Sequence, residues 1–198
     1  MNILNVIKKE FKDFIYSHKS VLTVIIEIIG VKFLLHIAKH DDYTIFLHFW
    51  LITTALQQFI YDSFLTDIKE KGILFYLNLK IPFSVYFLPK LIICIVLEII
   101  MVLFEIKNII RTTDFLTFSS VFIQCLIAVP IMFISSIFVK LNETGGLVIT
   151  SLLMAIILFS IRLLPSPVLI LLSSILLFLF CCFLAYKTFK SLLYRKQI

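Results

Sequence analysis

The sequence predicts an all-α integral membrane protein: six transmembrane helices, an N-terminal amphipathic interfacial helix, and both termini in the cytoplasm. Three observations carry this expectation. The 198 residues are 61% hydrophobic and only 15% charged, with a mean hydropathy of +1.10, whereas about a quarter of a soluble domain is charged. The apolar residues gather into six runs of about 20, the length a helix needs to cross the hydrocarbon core. Basic residues are also divided unevenly between the connections, which sets an orientation.

Residues 1–18 form the interfacial helix. Ile3, Val6, Ile7, Phe11, Phe14 and Ile15 recur at spacings of three and four, with Lys8, Lys9, Lys12 and Asp13 largely between them, the pattern of an amphipathic helix lying on a membrane surface. Charges are spread throughout the first 20 residues and no small-residue cleavage site follows the first apolar run, so that run is expected to be retained as a span rather than removed as a signal peptide.

The six spans are expected at 21–38, 44–65, 85–106, 115–139, 146–164 and 167–186. Between the last two, Pro165 and Pro167 stop or kink a helix, giving a tight hairpin or a re-entrant pair. Pro130 removes one backbone hydrogen bond inside the fourth span and is expected to act as a hinge or to shape packing. Trp50 and tyrosines near the run ends suit interfacial anchoring. No internal repeat, low-complexity tract or linker divides the chain, so 1–198 is one transmembrane domain.

Thirteen lysines and arginines fall on the side of the N-terminus and four on the other, which places both termini in the cytoplasm. The thirteen include Lys69, Lys71, Lys80 and Lys90, assigned to the connection between spans two and three. That connection, 66–84, is the one substantial loop. It opens with charges, continues with an apolar stretch and reaches Pro82, and Thr66 or Asp67 is positioned to cap a short helix within it.

The net charge of +6 does not point to nucleic acid, because the basic residues sit at the ends of apolar runs rather than on one polar face. Cys94, Cys125, Cys181 and Cys182 lie inside apolar runs without metal-ligand spacing and read as small hydrophobes. His36 and His48 could flank the external mouth as ligands, but two histidines without a further spaced ligand fit interfacial or packing roles better. The 21 phenylalanines are ordinary packing and lipid-facing material, not an aromatic ligand cage.

Asp67, Lys69, Glu70 and Lys71 precede Gly72, followed by Leu74, Leu77 and Pro82, with Lys90 at the start of the next span. With six spans and an amphipathic N-terminal helix, this arrangement resembles the permease subunit of a type-2 ABC exporter. The resemblance implies that 66–82 is a coupling segment seated in a separate ATP-binding subunit. It further implies that a second permease copy, identical or merely similar, completes the transporter, and it suits a bacterial plasma membrane. Two departures stand in the local motif: Phe75 occupies a place where family members often have an acid, and the proline falls one place late. The chain carries no Walker-type Gly-rich phosphate loop, so ATP and Mg would be held by the partner and no cofactor by this chain.

Inside the spans, Glu27, Lys32 and Glu98 are candidates for intramembrane polar or substrate contacts, since ionisable groups in a bilayer face a protein interior or a cavity. Glu27 and Lys32 are about 140° apart on a helix, so each needs a partner on another span, either as structural pairing or as contact with substrate or a dimer mate. The expected function is export of a hydrophobic substrate such as a peptide or bacteriocin, a lipid or a drug-like compound. The alternative is an ATPase-independent immunity or accessory protein that binds a peptide or another membrane protein. An enzyme is not expected, since the sequence lacks HExxH, GxSxG and paired intramembrane aspartates.

Overall fold

The computed structural model describes residues 3–16, 60–61, 63–68, 72–112, 114–138, 160–161 and 163–195, with scattered positions at 22, 25–26, 29–30, 148, 152–153 and 155–157. All regular structure among them is helical. Five helices are delimited: α1 (Ile3–Tyr16), α2 (Gly72–Asn78), α3 (Phe83–Thr112), α4 (Phe115–Phe138) and α5 (Pro167–Arg195). The described residues of 60–68 are helical as well.

Among the described residues, three helices are long and apolar enough to cross a membrane: Phe83–Ile100, Phe115–Ile137 and Pro167–Leu192. They correspond to the third, fourth and sixth expected spans. Of the other three expected spans, 21–38 and 44–65 fall largely outside the described residues, and 146–164 is described only at scattered positions.

Local chemistry explains the helix ends. The short helix α2 closes with a Schellman motif: Ile81 N–H donates to the Tyr76 carbonyl and Lys80 N–H to that of Leu77. This places Lys80 in the left-handed region, at a φ of 52°, where glycine is usual. Pro82 follows directly and cannot continue the helix. Asp114 caps α4, its Oδ2 accepting from Thr117 N–H at 3.1 Å. These hydrogen bonds hold its carboxyl below the usual carboxylate range. Asp114→Ala should therefore cost about 1 kcal/mol of stability, measurable as a lowered apparent Tm of the detergent-solubilised protein.

Ser166 caps α5 in the same way, accepting from Leu169 N–H, and Pro167 takes the first helical position, where its missing N–H costs nothing. Of the two prolines expected to stop or kink a helix, Pro167 thus begins one. Pro130 lies inside α4, which continues through it, and Pro89 likewise lies inside α3.

The helices pack with α4 at the centre: 78% of its span is buried, against 17% for α5. Phe133 near the end of α4 meets Phe83 and Phe87 at the start of α3 and Phe189 near the end of α5. At the other end Val102 of α3 packs against Val121 and Cys125 of α4. So α3 runs antiparallel to α4, while α4 and α5 run parallel. Midway, Gln124 Nε2 donates to Ser174 Oγ at 3.0 Å, joining α4 to α5. Serine hydroxyls elsewhere in α4 and α5 donate to carbonyls of their own helices, which satisfies them without water.

None of the four cysteines is in a disulfide, and Cys94, Cys125 and Cys181 are buried, in keeping with the hydrophobe reading. Much of α5 presents exposed Leu169, Leu172, Leu176, Leu179, Phe180 and Phe183, a face suited to lipid rather than water.

Candidate functional site

The start of α3 carries a lysine where an apolar helix would be expected to have none buried. Lys90 is 2% exposed and lies inside the spanning stretch of α3, in keeping with its place at the start of the third expected span; the charge count, which assigns it to the connection, does not hold for this buried lysine. Its ammonium does not reach water, because α1 and the helical residues 63–68 close over it with partners of their own.

Lys90 Nζ donates to Glu10 Oε1 at 2.9 Å and to Ser63 Oγ, and is ion-paired with Asp67 Oδ2 at 3.1 Å. Ser63 in turn donates to Glu10 Oε2 at 3.0 Å, and Tyr86 OH donates to Asp67 Oδ2 at 3.2 Å. The ammonium also lies 5.2 Å from the Phe64 ring centroid and 5.6 Å from that of Tyr86, within cation–π range. Two carboxylates against one ammonium leave a single negative charge in excess, spread over two O–H donors. A buried group of charges is tolerated only with partners this complete.

The cluster joins elements remote in sequence: α1 through Glu10, the segment leading to α2 through Ser63 and Asp67, and α3 through Tyr86 and Lys90. Beneath it Phe64, Phe83, Tyr86, Phe87, Phe133 and Phe189 form one aromatic core, with Phe64 and Phe133 edge to face at 5.2 Å. The short helix α2 is tied to the same core by Ile73, Tyr76 and Leu77, all buried. Tyr76 meets Tyr86 edge to face at 5.0 Å.

Burial, followed by the negative charges of Asp67, Glu10 and Asp13, pushes the Tyr76 phenol up from 10.0 to about 12. The folded state therefore holds this proton more tightly than the unfolded chain does. The associated stability is complete below pH 10 and is lost as pH rises through about 12. Alkaline unfolding between these limits should be less steep in Tyr76→Phe than in the native chain, as followed by phenolate absorbance together with near-UV circular dichroism.

The positions singled out in the sequence divide clearly. Asp67 is brought into the cluster, through a helical segment that continues to residue 68. Neither Thr66 nor Asp67 is therefore the cap of a short helix, and the carboxylate expected to cap α2 serves Lys90 and Tyr86 instead. Gly72 and Leu74 lie in α2, Leu77 faces the core and Pro82 is exposed. Glu98 is buried in α3, away from the cluster. Lys69, Glu70, Lys71, Glu27 and Lys32, with His36 and His48, lie outside the described residues.

Glu10, Ser63 and Tyr86 were not legible as site residues. A signal existed for Glu10: projected at 3.6 residues per turn, it falls among Ile3, Val6 and Phe14, within the apolar stripe of α1. An acid inside an apolar stripe needs a buried cation. Val6 and Glu10 are indeed buried, while Lys8, Lys9, Lys12 and Asp13 are exposed.

Among the described residues, the fold and site define an α-helical protein with three helices fit to cross a membrane and a buried ionic joint at one end of them. No family model, curated protein or solved structure matches the chain.

Proposed function

We propose that this chain is the permease subunit of an ATP-driven exporter, acting as a dimer with a separate ATPase docked on 66–82 and moving a hydrophobic substrate across a plasma membrane. The observation that carries the reading is the Lys90 joint. Through Asp67 and Ser63 it fastens the connection that holds α2 to a membrane-spanning helix and, through Glu10, to the amphipathic α1. A push on that connection reaches α3 through buried charge pairs and rings rather than through a slack loop.

Six crossings, with both termini and 66–82 on the cytoplasmic side, belong to this reading and rest on the apolar runs and the distribution of basic residues. Among the described residues, the end of α5 lies beside Phe83 and α1 meets Ser63 through Glu10. α1 fits an interfacial position: Val6 and Glu10 face the protein, whereas Leu4 and Ile15 are 59% exposed beside lysines suited to headgroups.

Because Ile73, Tyr76 and Leu77 point inward, the docking surface must draw on the exposed turn at Asn78, Leu79 and Lys80. The test is affinity purification of the solubilised chain from its native membrane, comparing the native protein with a Leu79→Asp, Lys80→Glu variant. An ATP-binding subunit should accompany the native chain and be lost from the variant. Purification of the native chain without an ATPase, under conditions that preserve other membrane complexes, would overturn the reading in favour of an ATPase-independent accessory or immunity protein.

A further inference from the structure

About 12 Å further along α3 than Lys90, at 1.5 Å per residue, stands a second buried acid that the joint does not use. Glu98 is 1% exposed. Its Oε1 accepts a hydrogen bond from the Cys94 thiol, 3.6 Å away on the preceding turn. Its Oε2 is buried and has no hydrogen-bond partner among the described residues.

Among the described residues, the groups around it do not supply a cation. On α3 the nearest are Cys94 and, two turns away, Lys90, which is already engaged by Glu10, Ser63 and Asp67. On α4, Cys125 lies within electrostatic range of Cys94. The described acids and cysteines form no metal-holding group. Gln124, the residue before Cys125, is fully buried too: its Nε2 donates to Ser174 and its Oε1 has no donor.

Two neighbouring helices therefore each carry a buried acceptor oxygen without a donor among the described residues. An unpaired carboxylate oxygen is strongly unfavourable in an apolar interior, and buried polar atoms ordinarily find partners. What the Glu98 carboxyl lacks is one donor.

We infer that Glu98 is an intramembrane site for a single positive charge, either a proton or the ammonium group of an apolar amine. The site belongs to α3 and its neighbours and does not depend on the ATPase reading. One ammonium on an aliphatic body matches the single unpaired carboxyl oxygen and the apolar composition of α3.

A hydrophobic carbodiimide tests this in native membranes. It reacts with a carboxyl that carries its proton: the proton passes to a carbodiimide nitrogen, the carboxyl oxygen bonds to the central carbon, and the O-acylisourea rearranges to a stable N-acylurea. Peptide mapping by mass spectrometry should find the adduct on Glu98, absent in Glu98→Gln and retained in Cys94→Ala. If Glu98→Gln fails to accumulate, the position of the adduct in the native chain still decides. Because an amine can also capture the O-acylisourea as an amide with release of the urea, both products are read: dodecylamine lowering total modification of Glu98, N-acylurea and dodecylamide together, would assign the charge to an ammonium group, and unchanged total modification would assign it to the proton. No adduct on Glu98 of the native chain, in membranes where an added fatty acid reacts, would mean that a cation from another element already pairs the carboxylate, and would overturn the inference.

Discussion

Replacing Lys90 with methionine should destabilise the protein by about 3–5 kcal/mol, the range for breaking a buried ion pair by removing one partner. Methionine nearly preserves the length of the side chain, so lost packing is a minor part of the effect. The larger part is that Glu10 and Asp67 remain buried with their shared cation gone and only the Ser63 and Tyr86 hydroxyls as donors. Loss of the cation–π contacts to Phe64 and Tyr86 adds to this. The measurement is the apparent Tm of the purified protein in detergent, with the folded yield alongside. Adding Glu10→Gln and Asp67→Asn to Lys90→Met should recover most of the loss, because neutral amides do not need a cation. A Lys90→Met chain as stable as the native one would show that the three charges do not depend on one another.

The second large effect is expected at Phe133, which is fully buried. Its ring lies 5.2 Å from Phe64, 5.9 Å from both Phe83 and Tyr86, 6.3 Å from Phe87 and 6.5 Å from Phe189. It thus fills the space where residues 60–68, α3, α4 and α5 converge. Phe133→Ala should cost about 3 kcal/mol, the lower part of the range for truncating a buried aromatic. The lower part applies because lipid chains are as apolar as the core, leaving lost packing rather than solvent transfer as the main term. Phe180→Ala, on the exposed face of α5, should change stability by only about 0.5 kcal/mol or less. Thermal denaturation of both variants in the same detergent makes the comparison. Equal losses would mean that the bundle does not converge on Phe133.

These two sites differ in how far the sequence revealed them. Phe133 lies in a long apolar run, which marks it as part of a span, but its burial comes from packing, since the equally apolar α5 leaves Phe180 exposed. The distribution of basic residues assigns Lys90 to the cytoplasmic side, and a lysine near the end of a span ordinarily snorkels to the headgroups. It does not do so here because its partners come from elsewhere: Glu10 lies 80 residues earlier in the chain. Asp67 was marked as important for a different reason, as part of a charged cluster before Gly72. Following an apolar run, it carried the signature of a helix end and a new cap. Its burial beside Lys90 and Tyr86 is a tertiary contact that local spacing does not encode.

By itself the sequence determined the helical class, the amphipathic α1, the places of α3, α4 and α5, and the absence of a Walker-type phosphate loop. Those features depend on short-range quantities: apolar run length against membrane thickness, periodicity at 3.6 residues, and the chemistry of capping residues and proline. Only the tertiary structure decided that α4 is central, that α4 and α5 run parallel, and that Glu10, Ser63, Asp67, Tyr86 and Lys90 converge. A charge in an apolar environment finds its partner through space, and the chain brings these residues together only once α1, residues 60–68 and α3 have packed over the same aromatic core.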